Sequence, residues 1–298
     1  MSKARIIYVT GMKPKPEPVL HRPELVRVLA ASLARVAPEA GQWLHAREQN
    51  FILVSWTRLL YGKYRDIELD RAGVEHILRQ PAPTAEDRRD ADSPARQLRR
   101  FWHLVGDSFP VLSRFMASES LKVTLADVHR YLDNADGVAE RIRALLIAEL
   151  EAAWSANERV LLVGHSLGSV IAYDSLWHLS RQSGNPGRVD VLMTLGSPLV
   201  TRFIRKGLLG ATLVGAERYP ANIDRWVNIA ARGEMVALHR RVRPFFGGMV
   251  RYGLIPAIED VADVYNHYRD GDGLNPHKSY GYLNHPVIAR RICDWLEG

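Results

Sequence analysis

Cysteine is nearly absent from this chain, since Cys293 is the only one among 298 residues. A single cysteine excludes an internal disulfide, and its place on the apolar side of the last predicted helix indicates a buried, unreactive thiol. Apolar runs long enough to span a bilayer are also missing, and no charged-then-apolar segment precedes the first predicted strand. Together these absences predict a reducing, cytoplasmic setting.

The chain also lacks any concentration of charge of one sign. Its net charge is +7 and its pI is near 9.6, which favours anionic partners such as a phosphate-bearing substrate or transient contact with a phospholipid surface. Acidic residues are mixed among the basic ones nearly everywhere, and no basic stripe interleaved with aromatics appears. Nucleic acid is therefore not an expected partner, and the oligomeric state is left open.

One stretch organises the sequence. An apolar run ends in Gly164-His165-Ser166-Leu167-Gly168 and passes directly into a helical pattern. This is the strand–turn–helix context of the G-x-S-x-G motif, in which a tight turn exposes the serine hydroxyl and the glycines allow close packing. The alternative is that Ser166 merely caps the helix. The complete context favours a nucleophile.

Apolar periodicity predicts six strands that alternate with amphipathic helices. The predicted strands cover residues 5–9, 51–56, 159–163, 189–195, 225–230 and 261–265. Such alternation predicts an α/β fold with a mostly parallel central sheet and helices on both faces, formed by one domain over residues 1–298. Pro23 is expected to open the first helix, and Pro286 the last.

Residues 62–135 interrupt this alternation. They are rich in charge and poor in strand signals, which predicts a helical insertion between two strands of the sheet and a candidate lid. A helix starting at Ser93-Pro94 would place an aromatic stripe on one face, formed by Leu98, Phe101, Trp102 and Val105. Ordinary packing onto the main domain is the alternative to a stripe that faces substrate.

A serine hydroxyl needs a base within hydrogen-bonding reach and an acid that orients the base. In the chain order serine, acid, histidine, the base comes after the last strand. His277 lies in a turn-rich loop there and is the preferred base. The alternatives are His285, which could simply enter the last helix, and His267, which could cap the last strand.

The acid is expected after the strand at residues 225–230, where Glu234 is the first carboxylate. Asp263, Asp270 and Asp272 are the alternatives. The oxyanion needs two N–H donors, for which we select the amides of Leu167 and Met12. Gly11 lets the Met12 loop approach, and Gly11 and His165 are predicted to contact substrate.

These pieces resemble the α/β-hydrolase superfamily, in its lipase/esterase-like branch. The matching segments are Val9-Thr10-Gly11-Met12, Gly164-His165-Ser166-Leu167-Gly168, Thr194-Leu195-Gly196-Ser197-Pro198-Leu199, Trp226-Val227-Asn228 and His277-Lys278-Ser279-Tyr280. The resemblance implies hydrolysis of carboxylic esters or acyl thioesters, with no metal and no organic cofactor. The sequence departs from the pattern of this superfamily in two places. The Met12 loop lacks the His-Gly start of many lipases, and the expected acid is a glutamate rather than an aspartate.

Three hypotheses about function follow. The first is a serine hydrolase that cleaves a small-molecule acyl ester or thioester through an acyl-enzyme. The second is an acyltransferase that uses the same triad and passes the acyl group to an alcohol. The third is a non-catalytic binding module on the hydrolase fold, which predicts a broken triad and would be favoured by an acid that fails to reach His277.

Overall fold

The computed structural model describes residues 3–95, 119–234, 236 and 239–298, with the backbone alone for residues 119–125. Its strands are β1 Ala4–Val9, β2 Phe51–Val54, β3 Arg159–His165, β4 Val189–Leu195, β5 Ile223–Ala231, β6 Ile258–Val264, β7 Arg269–Asp270 and β8 Gly273–Leu274. Its first helices are α1 Pro18–Val36, α2 Pro38–Ala46, α3 Thr57–Tyr61, α4 Glu68–Arg79 and α5 Ala85–Ala91. Across the gap follow α6 Glu119–Leu132, α7 Val138–Ser155, α8 Leu167–Arg181, α9 Arg202–Gly207, α10 Arg243–Phe246, α11 Gly248–Arg251, α12 Ser279–Leu283 and α13 Pro286–Glu297.

Six strands form one parallel sheet in the order β2-β1-β3-β4-β5-β6, and β7 and β8 form a separate antiparallel hairpin. The register aligns the carboxyl ends of the central strands. Val9 of β1 lies opposite Gly164 of β3, Gly164 lies opposite Thr194 of β4, and Thr194 lies opposite Asn228 of β5. The loops that follow these four strands therefore meet at one edge of the sheet.

The connections reverse direction between β1 and β3. From β1 the chain runs outward to β2, whereas from β3 it runs the opposite way to β4. At such a switch point the loops diverge and leave a crevice beyond the carboxyl ends of the two strands, where ligands bind in open α/β sheets. Gly11 and Ser166 follow these two strands.

Apolar residues cover both faces of the sheet. One face packs against α7 and α8, through residues such as Ile142, Leu146 and Val170. The other packs against α1, α4 and α13, where Cys293 is buried as predicted. The α/β class, the parallel sheet and the helices on both faces are confirmed.

The prediction that Pro23 opens the first helix was wrong. The helix begins at Pro18, and Pro23 lies inside it. The hydrogen bond that Pro23 cannot donate would fall on the carbonyl of Val19, whose residue is 68% exposed, so water can satisfy that carbonyl. A proline one turn into a helix is tolerated on such a solvent-facing side.

The described part of the predicted insertion is helical and holds no strand. Val74 and Ile77 of α4 are fully buried in the core beside α1, so α4 belongs to the helical layer of the main body. The aromatic stripe over Leu98–Val105 lies outside the described residues. In the part of the chain that the structure covers, no helix has both the length and the apolar character needed to cross a membrane.

Candidate active site

Ser166 occupies a strained turn between β3 and α8. Its backbone has φ 54° and ψ −128°, a conformation that side-chain-bearing residues rarely adopt. A Cβ on Gly164 would lie 2.6 Å from the Cα of Ser169, and a Cβ on Gly168 would lie 2.3 Å from the carbonyl oxygen of Val9. The two glycines thus let α8 pack onto the ends of β3 and β1.

Hydrogen bonds fix the Ser166 backbone from both sides. Its N–H donates to the carbonyl of Leu195 at 2.9 Å, and its carbonyl accepts the hydroxyl of Ser169 at 2.6 Å. The Ser169 hydroxyl also lies 2.7 Å from the hydroxyl of Ser197 in the loop after β4. These contacts hold the turn in its strained conformation and offset part of its cost.

The loop after β1 lies directly against this turn. A Cβ on Gly11 would be 2.8 Å from the Cβ of Ser166, so only glycine allows the approach. The indole of Trp56 donates to the carbonyl of Thr10 at 2.7 Å and anchors the loop. In the described part of the chain, neither the Met12 nor the Leu167 N–H has an acceptor. Both amides therefore remain available to a ligand.

Glu234 and His277 are in contact although they are 43 positions apart. The Nδ1–H of His277 donates to Oε1 of Glu234. The Glu234 side chain is completely buried, whereas the His277 side chain is 27% exposed. The hydroxyl of Tyr282 donates to the other oxygen, Oε2, and accepts the N–H of Ala231 at 2.9 Å. Burial and the adjacent Glu234 raise the pKa of Tyr282, which keeps its hydroxyl a donor. The carboxylate is thus held at both oxygens.

Two glycines shape the approach of the acid. Gly233 has φ +74°, and a Cβ there would lie 2.6 Å from the carbonyl oxygen of Ala91, so this turn after β5 requires glycine. Gly196, which follows β4, has φ +55°, and a Cβ there would lie 2.3 Å from Oε1 of Glu234. This role of Gly196 was not predicted from the sequence. The sequence feature that could have indicated it is a glycine near the carboxyl end of a buried strand, as at Gly11 and Gly164.

The histidine loop is held by Asn275 and His165. The Asn275 carboxamide oxygen accepts the His277 N–H at 3.3 Å, and its nitrogen donates to Asp270 at 2.7 Å. Nε2 of His165 lies 2.7 Å from the carbonyl of His277 and must carry the hydrogen, because a carbonyl only accepts. Burial and the neighbouring His277 lower the pKa of His165, so its ring is neutral. This buried contact supports the loop, and the predicted contact of His165 with substrate stays a prediction.

The alternative bases lie elsewhere. Nε2 of His267 is 2.7 Å from the carbonyl of Gln80, and Nδ1 of His285 accepts the Val287 N–H at the start of α13. His285 therefore caps the last helix, in agreement with the alternative that it simply enters this helix.

Two of the alternative acids have other partners. Asp263 pairs with Arg232 at 3.5 Å and Arg240 at 3.3 Å. Asp270 accepts the N–H of Asp272 at 3.1 Å within the turn of the β7–β8 hairpin. Glu234 is the carboxylate that the structure brings to His277.

The residue before Ser166 contacts this pair. The rings of His165, the residue before Ser166, and His277 have centroids 4.8 Å apart. Among the hydrogen bonds of the described residues, none joins the Ser166 hydroxyl to His277. This link is often loose without substrate and tightens when substrate binds. With Nδ1 bonded to Glu234, Nε2 is the other nitrogen of the His277 ring, and it has no hydrogen-bonding partner among the described residues.

Comparison with known proteins adds no family to this geometry. No family model, no curated protein and no solved structure matches the chain.

Proposed function

We propose that this protein is a serine hydrolase of the α/β-hydrolase type that cleaves carboxylic esters or acyl thioesters. The observation that carries the proposal is the contact between His277 and Glu234, and two further features support it. These are the strained turn at Ser166 and the amides of Met12 and Leu167, which have no acceptor among the described residues.

In the proposed mechanism the Ser166 hydroxyl loses its proton to Nε2 of His277 as its oxygen bonds to the acyl carbon. The carbonyl oxygen gains the negative charge, and the Met12 and Leu167 amides stabilise it. Glu234 stabilises the imidazolium through the hydrogen bond at Nδ1. The proton on Nε2 then passes to the leaving alcohol or thiol as the bond from the acyl carbon breaks.

Water completes the cycle. It gives a proton to Nε2 of His277, its oxygen bonds to the acyl carbon, and the proton returns to the Ser166 oxygen as the free acid leaves. The contact between Glu234 and His277 favours this enzymatic proposal over the non-catalytic hypothesis, which predicted an acid out of reach.

The test is Ser166→Ala, compared with Ser183→Ala in an exposed turn. We expect Ser166→Ala to lower kcat on short acyl esters by roughly 10³-fold or more and to abolish labelling by a fluorophosphonate. Ser183→Ala should behave as the unmodified protein. Full activity of Ser166→Ala, with the label on another residue, would refute the proposal. Product analysis with an added alcohol distinguishes hydrolysis from acyl transfer.

A further inference from the structure

Two cationic side chains bind one buried carboxylate beside the candidate active site, and a third acts on the same group of charges. Asp70 is 2% exposed and is bound by both Arg65 and Lys278. Burial alone would raise the pKa of Asp70, but Lys278 and Arg65 hold it below its ordinary value. Lys15 is the third cation, and its carbonyl accepts the Arg65 N–H at 2.9 Å. Lys13 also acts on Lys15, so positive charges outnumber the one negative charge of Asp70 in this region.

Lys15 is the member of this cluster without a partner. It is half-buried and forms no ion pair with any residue of the described ranges. Burial, with Lys278 and Arg65 nearby, lowers the pKa of Lys15 to about 7. A half-buried ammonium beside two other cations is unfavourable unless an anion binds with it.

The surroundings contain a further unpaired polar atom. His21 of α1 is 3% exposed, and its Nδ1 has no hydrogen-bonding partner in the described structure. Its charged neighbours are the four residues of the cluster. Burial, followed by the effect of Lys15, lowers the pKa of His21 to about 3, so the ring is neutral and can donate a hydrogen bond without adding charge.

The cluster adjoins the residues assigned to chemistry. Lys278 directly follows His277, and Lys15 lies four residues beyond Gly11 on the loop that contacts Ser166. Four residues span at most roughly 14 Å, so the Cα of Lys15 lies within about 14 Å of the Cα of Gly11. Lys278 lies 5.3 Å from the centre of the Tyr268 ring, which forms a wall of the cluster.

We propose that Lys15, Arg65 and Lys278 form a subsite for a dianionic phosphate group, and that the protein acts on acyl esters carrying such a group. The claim that the phosphate belongs to a cleaved ester rests on the proposed function. The claim that an anion binds here does not. The excess of positive charge favours a phosphate monoester, and tetrahedral phosphoryl oxygens can accept from several donors at once. A phosphate held here orients the ester toward Ser166.

The test is Lys15→Met, because it removes a cation without leaving Asp70 unpaired. Its matched control is Lys206→Met, an exposed lysine on α9 that makes the same change in net charge. The substrates are a butyryl ester of glycerol and the corresponding ester of glycerol 3-phosphate. We expect the ratio of kcat/KM for the phosphorylated over the neutral ester to fall about tenfold in Lys15→Met, the effect of one charge-assisted hydrogen bond, and to stay unchanged in Lys206→Met.

A binding measurement separates this inference from the proposed function. Inorganic sulfate, a tetrahedral dianion that does not titrate near pH 7, is added to the Ser166→Ala protein in a calorimeter. We expect saturable binding that Lys15→Met weakens about tenfold, with proton uptake by Lys15 at pH 7. If sulfate binds in this way but no ester is cleaved, the anion site stands and the proposed function fails.

The opposite outcome overturns the inference alone. Ester cleavage that depends on Ser166, with the same preference ratio in Lys15→Met and the unmodified protein and no saturable sulfate binding, would leave the hydrolase without this subsite. Vesicles of phosphatidylcholine with or without phosphatidic acid identify the source of the phosphate. Binding that requires phosphatidic acid and Lys15 indicates a lipid substrate, and no such binding with retained ester preference indicates a water-soluble one.

Discussion

Gly196 gives the most direct test of the proposed triad. A Cβ at this position would lie 2.3 Å from Oε1 of Glu234 and 3.0 Å from Nδ1 of His277, whereas ordinary contact begins at 3.4 Å. In Gly196→Ala the acid must therefore retreat by about 1 Å. Glu234 is fully buried and held by Tyr282, so it cannot retreat without disturbing its bond to His277.

A displacement of this size lowers the rate of a positioned reaction by roughly 100-fold, or about 2.7 kcal/mol in activation free energy. The left-handed backbone at Gly196 adds about 1–2 kcal/mol of strain when alanine replaces glycine. Gly184→Ala is the matched control, because Gly184 has φ +64° and nothing within 4 Å of its Cβ position. It has the backbone strain without the contact.

The assay is kcat/KM on a short acyl ester, with urea unfolding of both variants. We expect both alanine variants to fold, Gly196→Ala to lose kcat/KM by about 100-fold, and Gly184→Ala to lose stability alone. If Gly196→Ala keeps a kcat/KM within about threefold of Gly184→Ala, a displacement of Glu234 does not affect the reaction. The assignment of Glu234 as the acid would then be wrong.

Two further predictions concern buried polar contacts. Tyr282→Phe removes a donor to Glu234 and an acceptor of the Ala231 N–H. We therefore expect the free energy of unfolding to fall by about 1–3 kcal/mol, and kcat to fall while KM changes little. An unchanged kcat would contradict the positioning role of Tyr282. Asp174 on α8 accepts from the Leu209 N–H and the Tyr131 hydroxyl, and burial raises its pKa to about 7 from 3.8. The unfolded chain loses this proton near pH 4 while the folded protein keeps it to about pH 7, so Asp174 lowers stability as pH rises through that window, by up to about 4 kcal/mol. Asp174→Asn should remove this pH dependence in urea unfolding at pH 5 and pH 8, and an equal difference from the unmodified protein at both pH values would refute it.

Local pattern alone was enough to predict much of the fold. The six strands of the main sheet lie within a few residues of their predicted positions, because most of them are short apolar runs bounded by turn residues. The Ser166 turn follows from glycines spaced around a serine between a strand and a helix. Pro23 shows the limit of local rules, since the position of a proline in its helix depends on which side faces water.

The amino-acid sequence by itself determined the strands, the helices and the tight turn at Ser166, because each depends on neighbours a few positions away. Only the tertiary structure decided that Glu234 rather than Asp263 meets His277, that Tyr282 and Gly196 enclose the carboxylate, and that Lys15 joins Arg65 and Lys278. Those contacts join segments that are distant along the chain. Their geometry is set by strand order, register and the packing of helices on the sheet, which no local pattern encodes.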